Sequence, residues 1–74
     1  MKDLDWQNVI SSNIRRMAYK EGQMFVTFTS GDTYRYDGVP EETFLAVRNA
    51  VSVGKTFKTH IKDAGFAFSK VVVG

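Results

Sequence analysis

A single proline divides this chain into two parts with different hydrophobic periods, and that division constrains the fold more than any other feature of the sequence. Before Pro40, residues 24–29 and 33–37 alternate in side-chain character with a period of two and are rich in aromatic and β-branched residues, a pattern typical of β-strands. After Pro40, apolar residues recur three and four positions apart, which is typical of amphipathic helices. Strands followed by helices predict a two-layer α+β domain.

Three strands are predicted before the proline, over residues 14–19, 24–29 and 33–37. Polar connections that contain glycine, Lys20-Glu21-Gly22-Gln23 and Ser30-Gly31-Asp32, separate them, and such connections favour tight turns. Consecutive strands with short connections form an antiparallel meander. One face of so small a sheet has to be covered, because an isolated sheet of this size is marginally stable.

The first predicted helix starts at Pro40, whose missing N–H costs nothing at the first helical position. Glu41 and Glu42 follow in the first turn, where negative charge complements the helix dipole. Its apolar positions are Phe44, Val47 and Val51.

The second predicted helix is capped by Ser52 and ends at Gly65. Its apolar stripe consists of Phe57, Ile61 and Ala64. The β-prone residues 66–73 add a possible short C-terminal strand. The predicted fold is therefore a three-stranded antiparallel meander followed by two helices packed on one face of the sheet.

The size of the chain sets how the fold can be stabilised. Seventy-four residues make one domain with a thin core, and there is no cysteine and only one histidine, so neither a disulfide nor a zinc-ligand set is available. Stability has to come from aromatic packing, with self-association as a further source. We expect an extension over residues 1–8, the domain over 9–68 and an apolar tail over 69–74, and residues 1–10 could form a short helix around Trp6.

The start of the chain and its hydropathy bear on location. Residues 1–5 carry acids and no apolar stretch behind a basic one, which does not match a signal peptide. No apolar run approaches the ~20 residues of a membrane span, and the absence of cysteine fits a reducing compartment. We expect a cytoplasmic protein without a membrane partner.

Positive charge is concentrated in the last third of the chain. Between Arg48 and Lys70 there are five basic residues and one acid, Asp63. On the second predicted helix the basic residues form a row, Lys55, Lys58 and Lys62. The row could track phosphates of a ligand, or it could be the solvated face that any exposed helix needs.

The third predicted strand carries Tyr34-Arg35-Tyr36, which allows two interpretations. The tyrosines share a face and could stack on bases while Arg35 pairs with a phosphate from the other face. Alternatively, at least one ring belongs to the core beneath the helices. In the adjacent pair Arg15-Arg16 the side chains point to opposite faces, so Arg16 could join Arg35 on the outer face.

No residue set predicts catalysis, a metal or a cofactor. Val53-Gly54-Lys55-Thr56 resembles the end of a phosphate-binding loop, but Asn49 occupies the position of the required first glycine and a helix precedes it. The start of the second helix could still hold a phosphate without hydrolysis. His60 has only Asp63 as a local partner, which is not a catalytic set.

Four motifs make the chain similar to the KTSC domain family, across about residues 9–68. They are Ser11-Ser12-Asn13-Ile14, Tyr34-Arg35-Tyr36, Gly38-Val39-Pro40, and Ala50-Val51-Ser52-Val53-Gly54 followed by Phe57 and Ile61. Each motif is weak alone, and their order and spacing together are specific. The chain departs from the family pattern at Lys58, where a small polar residue is usual, and at Gly65-Phe66, where the family often ends in tyrosine.

The resemblance implies a function only by association. The family is named for its occurrence at the C-terminus of some lysyl-tRNA synthetases, and that fusion implies RNA binding. We therefore expect a non-enzymatic binding module for RNA or another phosphate-rich ligand. Its expected ligand-binding residues are Arg16, Tyr34, Arg35, Tyr36, Lys55, Lys58 and Lys62.

An alternative follows from the stand-alone members of the family in bacteria and phages. They imply a phage-type accessory or inhibitor protein that contacts a host protein, or a homo-oligomer that holds a small nucleotide between its subunits. The apolar tail, Val71-Val72-Val73, favours this alternative because a β-prone tail can add to a neighbour's sheet edge.

Overall fold

The computed structural model describes residues 4–72 of the chain and contains five strands and two helical segments. The strands are β1 (Gln7–Asn8), β2 (Ile14–Lys20), β3 (Gln23–Phe28), β4 (Thr33–Asp37) and β5 (Phe68–Val71). The helices are α1 (Glu41–Arg48) and α2 (Val53–Phe57), and α2 continues directly into a π-helical turn over Lys58–Lys62. We call α2 and this turn together the second helix. Neither helix in the described range is long and apolar enough to span a membrane.

All five strands form one antiparallel sheet in the order β1-β2-β3-β4-β5. The α+β class, the central meander and the C-terminal strand are confirmed, whereas the predicted count of three strands was too low. The expectation of a helix around Trp6 was wrong, because β1 pairs there with β2. A two-residue strand is too short to show alternation, so no periodic pattern predicts it. Residues 1–3 of the predicted extension and 73–74 of the predicted tail lie outside the described residues.

The turn between β2 and β3 consists of two residues, Glu21 and Gly22, which both have positive φ, 51° and 81°. Positive φ at both central positions is the condition for a type I′ turn, whose twist matches that of a β-hairpin. Only glycine adopts this conformation without steric cost, which explains Gly22. The turn fixes the pairing of Lys20 with Gln23.

An extra residue in β2 sets which side chains face the helices. Ile14 pairs with Phe28 but Arg16 pairs with Thr27, so Arg15 forms a β-bulge. As a result Ile14 and Met17, three residues apart, are both buried. The bulge accounts for an apolar spacing in β2 that strict alternation does not explain.

Both helices pack against the same face of the sheet. Phe44 of α1 stacks on Tyr19 of β2, with ring centroids 5.2 Å apart, and the Tyr19 hydroxyl donates to the carbonyl oxygen of Val39. Phe57 of α2 and Ile61 of the π-helical turn complete the core. The core residues shared by these elements are Ile14, Met17, Met24, Val26, Tyr36, Val39, Phe44, Val47, Val53, Phe57 and Ile61.

Three predictions about the helices were wrong in detail. Pro40 lies at the N-cap rather than the first helical position. Val51 is fully exposed, because α1 ends at Arg48 and leaves Val51 in the connection. Ala64 is also exposed, because the π-helical turn, closed by the Asp63 N–H donating to the Lys58 carbonyl at 2.9 Å, shifts the helical period beyond Ile61.

The outer face of the sheet is covered by its own side chains. The ring of Trp6 meets Phe25 edge-on at 6.4 Å, and the guanidinium of Arg16 lies 4.0 Å above the Trp6 ring. Nearby, the hydroxyls of Thr27 and Thr33 are hydrogen-bonded at 2.8 Å. Phe25 is therefore buried although no helix covers it.

Replacing Phe57 with alanine should destabilise the domain by about 3–5 kcal/mol, since the side chain is buried and the thin core cannot collapse into the space. Urea unfolding followed by circular dichroism measures this. Phe68→Ala is the matched control, because 63% of Phe68 is exposed and the loss should be smaller. If Phe57→Ala does not fold, Ile61→Val should still show a loss of about 0.5–1.5 kcal/mol. Equal losses for Phe57→Ala and Phe68→Ala would contradict this role of Phe57.

Candidate ligand-binding site

A cavity of about 340 Å³ lies between the β4–β5 side of the sheet and the end of the second helix. Its volume is at the lower end of the roughly 300–1,000 Å³ that small-ligand sites span. We call it the aromatic cavity, because it is lined by Phe28, Tyr34, Tyr36, Phe66 and Phe68 together with Lys62.

The rings of the aromatic cavity are placed by strand register. Tyr34 and Tyr36 alternate onto the helix side of β4, and β5 sets Phe68 directly opposite Tyr36. Phe68 lies 5.7 Å from Tyr36 and 6.2 Å from Tyr34, measured between ring centroids, while Phe28 meets Tyr34 edge-on at 5.8 Å. Tyr36 is buried, Tyr34 is half-buried and Phe68 is exposed. The exposure of the rings therefore increases from Tyr36 to Phe68.

A second cavity, of about 320 Å³, adjoins the first and shares Phe28 and Lys62 with it. We call it the lysine cavity, because Lys55, Lys58 and Lys62 all line it. Its other lining residues are Asn13, Ile14, Phe28, Gly54 and Phe57. The predicted lysine row therefore runs along one cavity and reaches the next.

Gly54 brings the loop before β2 close to the second helix. The Oγ of Ser11 accepts hydrogen bonds from the backbone N–H groups of Asn13 and Ile14, at 3.2 and 3.3 Å. The same oxygen lies 3.1 Å from where a Cβ on Gly54 would be. Two motifs far apart in the sequence, one around Ser11 and one around Gly54, thus meet beside the lysine cavity.

The three lysines of the row have no carboxylate partner among residues 4–72. Two other cations do have one: Arg35 pairs with Asp37 at 3.0 Å and Lys70 with Asp32 at 3.3 Å. No Asp or Glu of the described residues lines either cavity. The rim is therefore positively charged and its ammonium groups are available to an anion.

The two arginines of the expected site lie on the other face of the sheet. Arg16 covers Trp6 and its Nε lies 3.4 Å from the Thr27 hydroxyl, and Arg35 is paired with Asp37. The structure thus brings together Tyr34, Tyr36 and the lysine row but separates them from both arginines. The sheet itself stands between the two groups, so one small ligand does not contact both.

Several lining residues were not predicted, namely Phe28, Phe66, Phe68 and Asn13. The sequence did contain a signal for the aromatic ones. Phe66 and Phe68 are two residues apart in the β-prone tail, and pairing of that tail with β4 would have placed Phe68 opposite a tyrosine. Because Phe66 and Phe68 are about 30 residues from the tyrosines in the sequence, their contact cannot be predicted unless the pairing with β4 is known.

His60 is exposed, and its Nδ1 lies 3.1 Å from the carbonyl oxygen of Thr56 in its own helix. The expected local pair with Asp63 is not formed. Within residues 4–72 no cluster of three or more His, Cys, Asp or Glu side chains is arranged to hold a metal ion.

The fold and the cavities define a class of small α+β domains in which two short helices cover one face of an antiparallel sheet. The family model of the KTSC domain matches residues 10–66, so the chain belongs to the KTSC domain family, as its motifs predicted. A Stutzerimonas stutzeri protein, named only as uncharacterized, is 33% identical over 63 residues, which is 82% of this chain and 89% of that protein. The crystal structure of a KTSC domain protein from Yersinia pestis matches with a TM-score of 0.85 and 32% identity, over 93% of this chain and 99% of that one.

Burial raises the pKa of Tyr36 above its ordinary value, and the neighbouring Tyr34 raises it further. The folded state therefore keeps the phenol proton to higher pH than the unfolded chain, whose tyrosines titrate near pH ~10. The resulting stability is fully present below pH ~10 and is lost as pH rises through the raised pKa.

The stability of the wild-type domain should accordingly fall more steeply above pH ~10 than that of Tyr36→Phe, which has no phenol to ionise. Urea unfolding of both proteins across neutral to alkaline pH measures the difference, and the lysines common to both cancel. Parallel pH profiles for the two proteins would contradict the raised pKa of Tyr36.

Proposed function

We propose that this domain is a non-enzymatic module that binds single-stranded RNA, with one base in the aromatic cavity and the adjoining phosphates on the lysine row. One observation carries the proposal: three lysines without a carboxylate partner among the described residues line the lysine cavity, which adjoins, through Phe28 and Lys62, the aromatic cavity with its five rings. Aromatic rings that stack on bases beside cations that hold the backbone are the common means of binding single strands.

The graded burial of the rings suits a stacked base. Tyr36 is held in the core by Phe57, whose ring meets it edge-on at 5.5 Å. Tyr36 therefore forms the rigid floor of the cavity. Tyr34 and Phe68 are more exposed and offer ring surface to a ligand. An unpaired base can enter such a cavity, whereas a base within a duplex is already stacked.

The lysine row suits a chain of phosphates better than a single one. Lys55 and Lys62 are seven residues apart, which is about 10 Å along a helix at 1.5 Å per residue. Lysine acts as a flexible point charge, so the row can follow a backbone without fixing its sequence. Binding should therefore be electrostatic and depend strongly on salt.

The absence of an enzymatic role is part of the proposal. Histidine and carboxylates are the most frequent general acids and bases, and the described lining residues of both cavities include neither. RNA recovered intact after long incubation with the protein would agree with a binding role, and cleaved RNA would refute it.

Changing Lys55, Lys58 and Lys62 together to glutamine should weaken binding of a labelled single-stranded RNA. On single strands each phosphate contact adds ~0.7 to the steepness of the plot of log affinity against log salt. If each of the three lysines contacts one phosphate, the steepness should therefore fall by about 2 in the triple variant. Fluorescence anisotropy at low and physiological salt measures both quantities.

The matched control changes Arg15, Arg16 and Arg35 to glutamine, which removes the same charge from β2 and β4 and spares the lysine row. Circular dichroism and thermal unfolding establish that both triple variants are folded. An equal loss in the two variants would mean that only net charge matters, and unchanged affinity in the lysine variant would refute the site.

Replacing Tyr34 with leucine should weaken RNA binding by about 1–3 kcal/mol, the contribution of one stacked base. Leucine keeps apolar volume in the cavity but lacks a flat ring, so folding should be largely retained. Trp6→Leu is the control, because Trp6 is an aromatic residue on the outer face and its loss should leave RNA affinity unchanged. The opposite pattern would place the stacking surface on the outer face.

A second candidate function, an accessory or inhibitor protein that binds a host protein, is favoured by a different observation. The side chains of Ile10 and Val51 are fully exposed. Both border a shallow cleft beside α1 that Arg48 also lines. Exposed apolar side chains grouped in this way are typical of protein interfaces. Absence of RNA binding at both salt concentrations would favour this candidate.

A further inference from the structure

The last strand of the sheet has a free edge within the described part of the chain. β5 pairs with β4 on one side only, and β4 and β5 are the last two strands in the sheet order. Backbone groups alternate in direction along an antiparallel strand. The Asp37 N–H donates to the Ala67 carbonyl at 2.8 Å, and Ser69 pairs with Arg35, so the backbone groups of Ala67 and Ser69 point toward β4. The N–H and C=O groups of Phe68 and Lys70 therefore point away from β4.

This edge has few of the features that prevent strands from pairing. Exposed edges are usually protected by charged side chains, especially lysine, by proline, by bulges or by being very short. β1, at the other edge, is two residues long, whereas β5 has four residues without proline or glycine, Phe68-Ser69-Lys70-Val71. Its single charge is already engaged, since Lys70 pairs with Asp32 at 3.3 Å. Phe68 and the following Val72 are 63% and 88% exposed.

We propose that β5 pairs antiparallel with β5 of a second copy of this chain, and that the second copy completes the aromatic cavity. An edge strand is complementary to itself in this arrangement, because a twofold axis perpendicular to the sheet sets each outward donor against an acceptor. The same axis keeps the helices of both copies on one side of a continuous ten-stranded sheet. The inference deepens the proposed function and rests on it for the role of the cavity.

The register of the pair follows from which groups point outward. Phe68 and Lys70 have to meet residues of the second copy that also point outward, and only an axis at Ser69 or at Lys70 also keeps most of β5 paired. An axis at Lys70 would place the two lysines directly opposite each other, and like charges in that position are destabilising. The axis therefore passes at Ser69, and Phe68 lies opposite Lys70 of the second copy.

This register adds a side chain to the ligand site. Residues directly opposite each other in a sheet share a face, so Lys70 of the second copy lies beside Phe68 on the helix side, at the open border of the aromatic cavity. Its methylene chain can cover the exposed ring, while its ammonium group stays paired with Asp32 of its own copy. Each copy in this way closes the cavity of the other.

Sedimentation velocity of the full chain over a concentration series, without RNA, tests the pairing. Lys70→Pro removes an outward N–H that β4 does not use, and proline is tolerated on edge strands. Lys70→Ala removes the charge and the ion pair but keeps that N–H, so it is the matched control. Wild type and Lys70→Ala should sediment with twice the mass of one chain, and Lys70→Pro with the mass of one chain. A wild type that stays monomeric at every concentration, or a Lys70→Pro variant that stays dimeric, would overturn the proposal.

RNA titration of the same three proteins separates this proposal from the function on which it rests. Lys70→Ala, still dimeric, should bind RNA more weakly than wild type because the side chain that covers Phe68 of the other copy has been shortened. A monomeric wild type that binds RNA would refute only the dimer, and a dimer that does not bind RNA would refute only the proposed ligand. Unchanged affinity in dimeric Lys70→Ala would overturn the contribution of the second copy to the cavity.

Discussion

The ring of Phe57 packs the second helix against the sheet. Its centroid lies 5.7 Å from that of Phe28 in β3 and 5.5 Å from that of Tyr36 in β4, and both contacts are edge-on. In a chain of 74 residues without cysteine, such contacts have to replace the disulfides or metals that many small domains use. The same contact determines the cavities, because it fixes how far the helix stands from β4. Both cavities adjoin this contact: Phe28 lines both of them, and Phe57 lines the lysine cavity.

The aromatic cavity lies where the second helix ends. That helix ends at Lys62, and the chain returns through Phe66 to the sheet at β5, so that end of the helix side is lined by aromatic side chains and Lys62. The lysines follow the solvent side of the same helix, while Phe57 and Ile61 face the core. One amphipathic helix therefore supplies both the packing of the core and the charge of the rim.

The sheet separates two groups of cations, the arginines of its outer face and the lysines of the second helix. Arg16 and Arg35 are held on the outer face by Trp6 and Asp37, and there they contribute to covering Phe25. The lysines have no such partners among the described residues. A basic residue that already has a partner loses that interaction when it binds a phosphate, so the unpartnered lysines are the better anion site.

The sequence by itself determined the class of the fold, the central hairpins, the two helices and the family, because hydrophobic period, turn residues and motif order are local properties. It also indicated the lysine row and the tyrosine pair as candidates. The alternation of the strand already placed Arg35 on the face opposite the tyrosines. Only the tertiary structure decided that the lysine row and the tyrosines lie on one side of the sheet, that Phe66 and Phe68 join the tyrosines, and that β1 exists. Strand register and the bulge at Arg15 set those outcomes, and both depend on pairing between segments distant in the chain, which leaves no periodic signal in either segment alone.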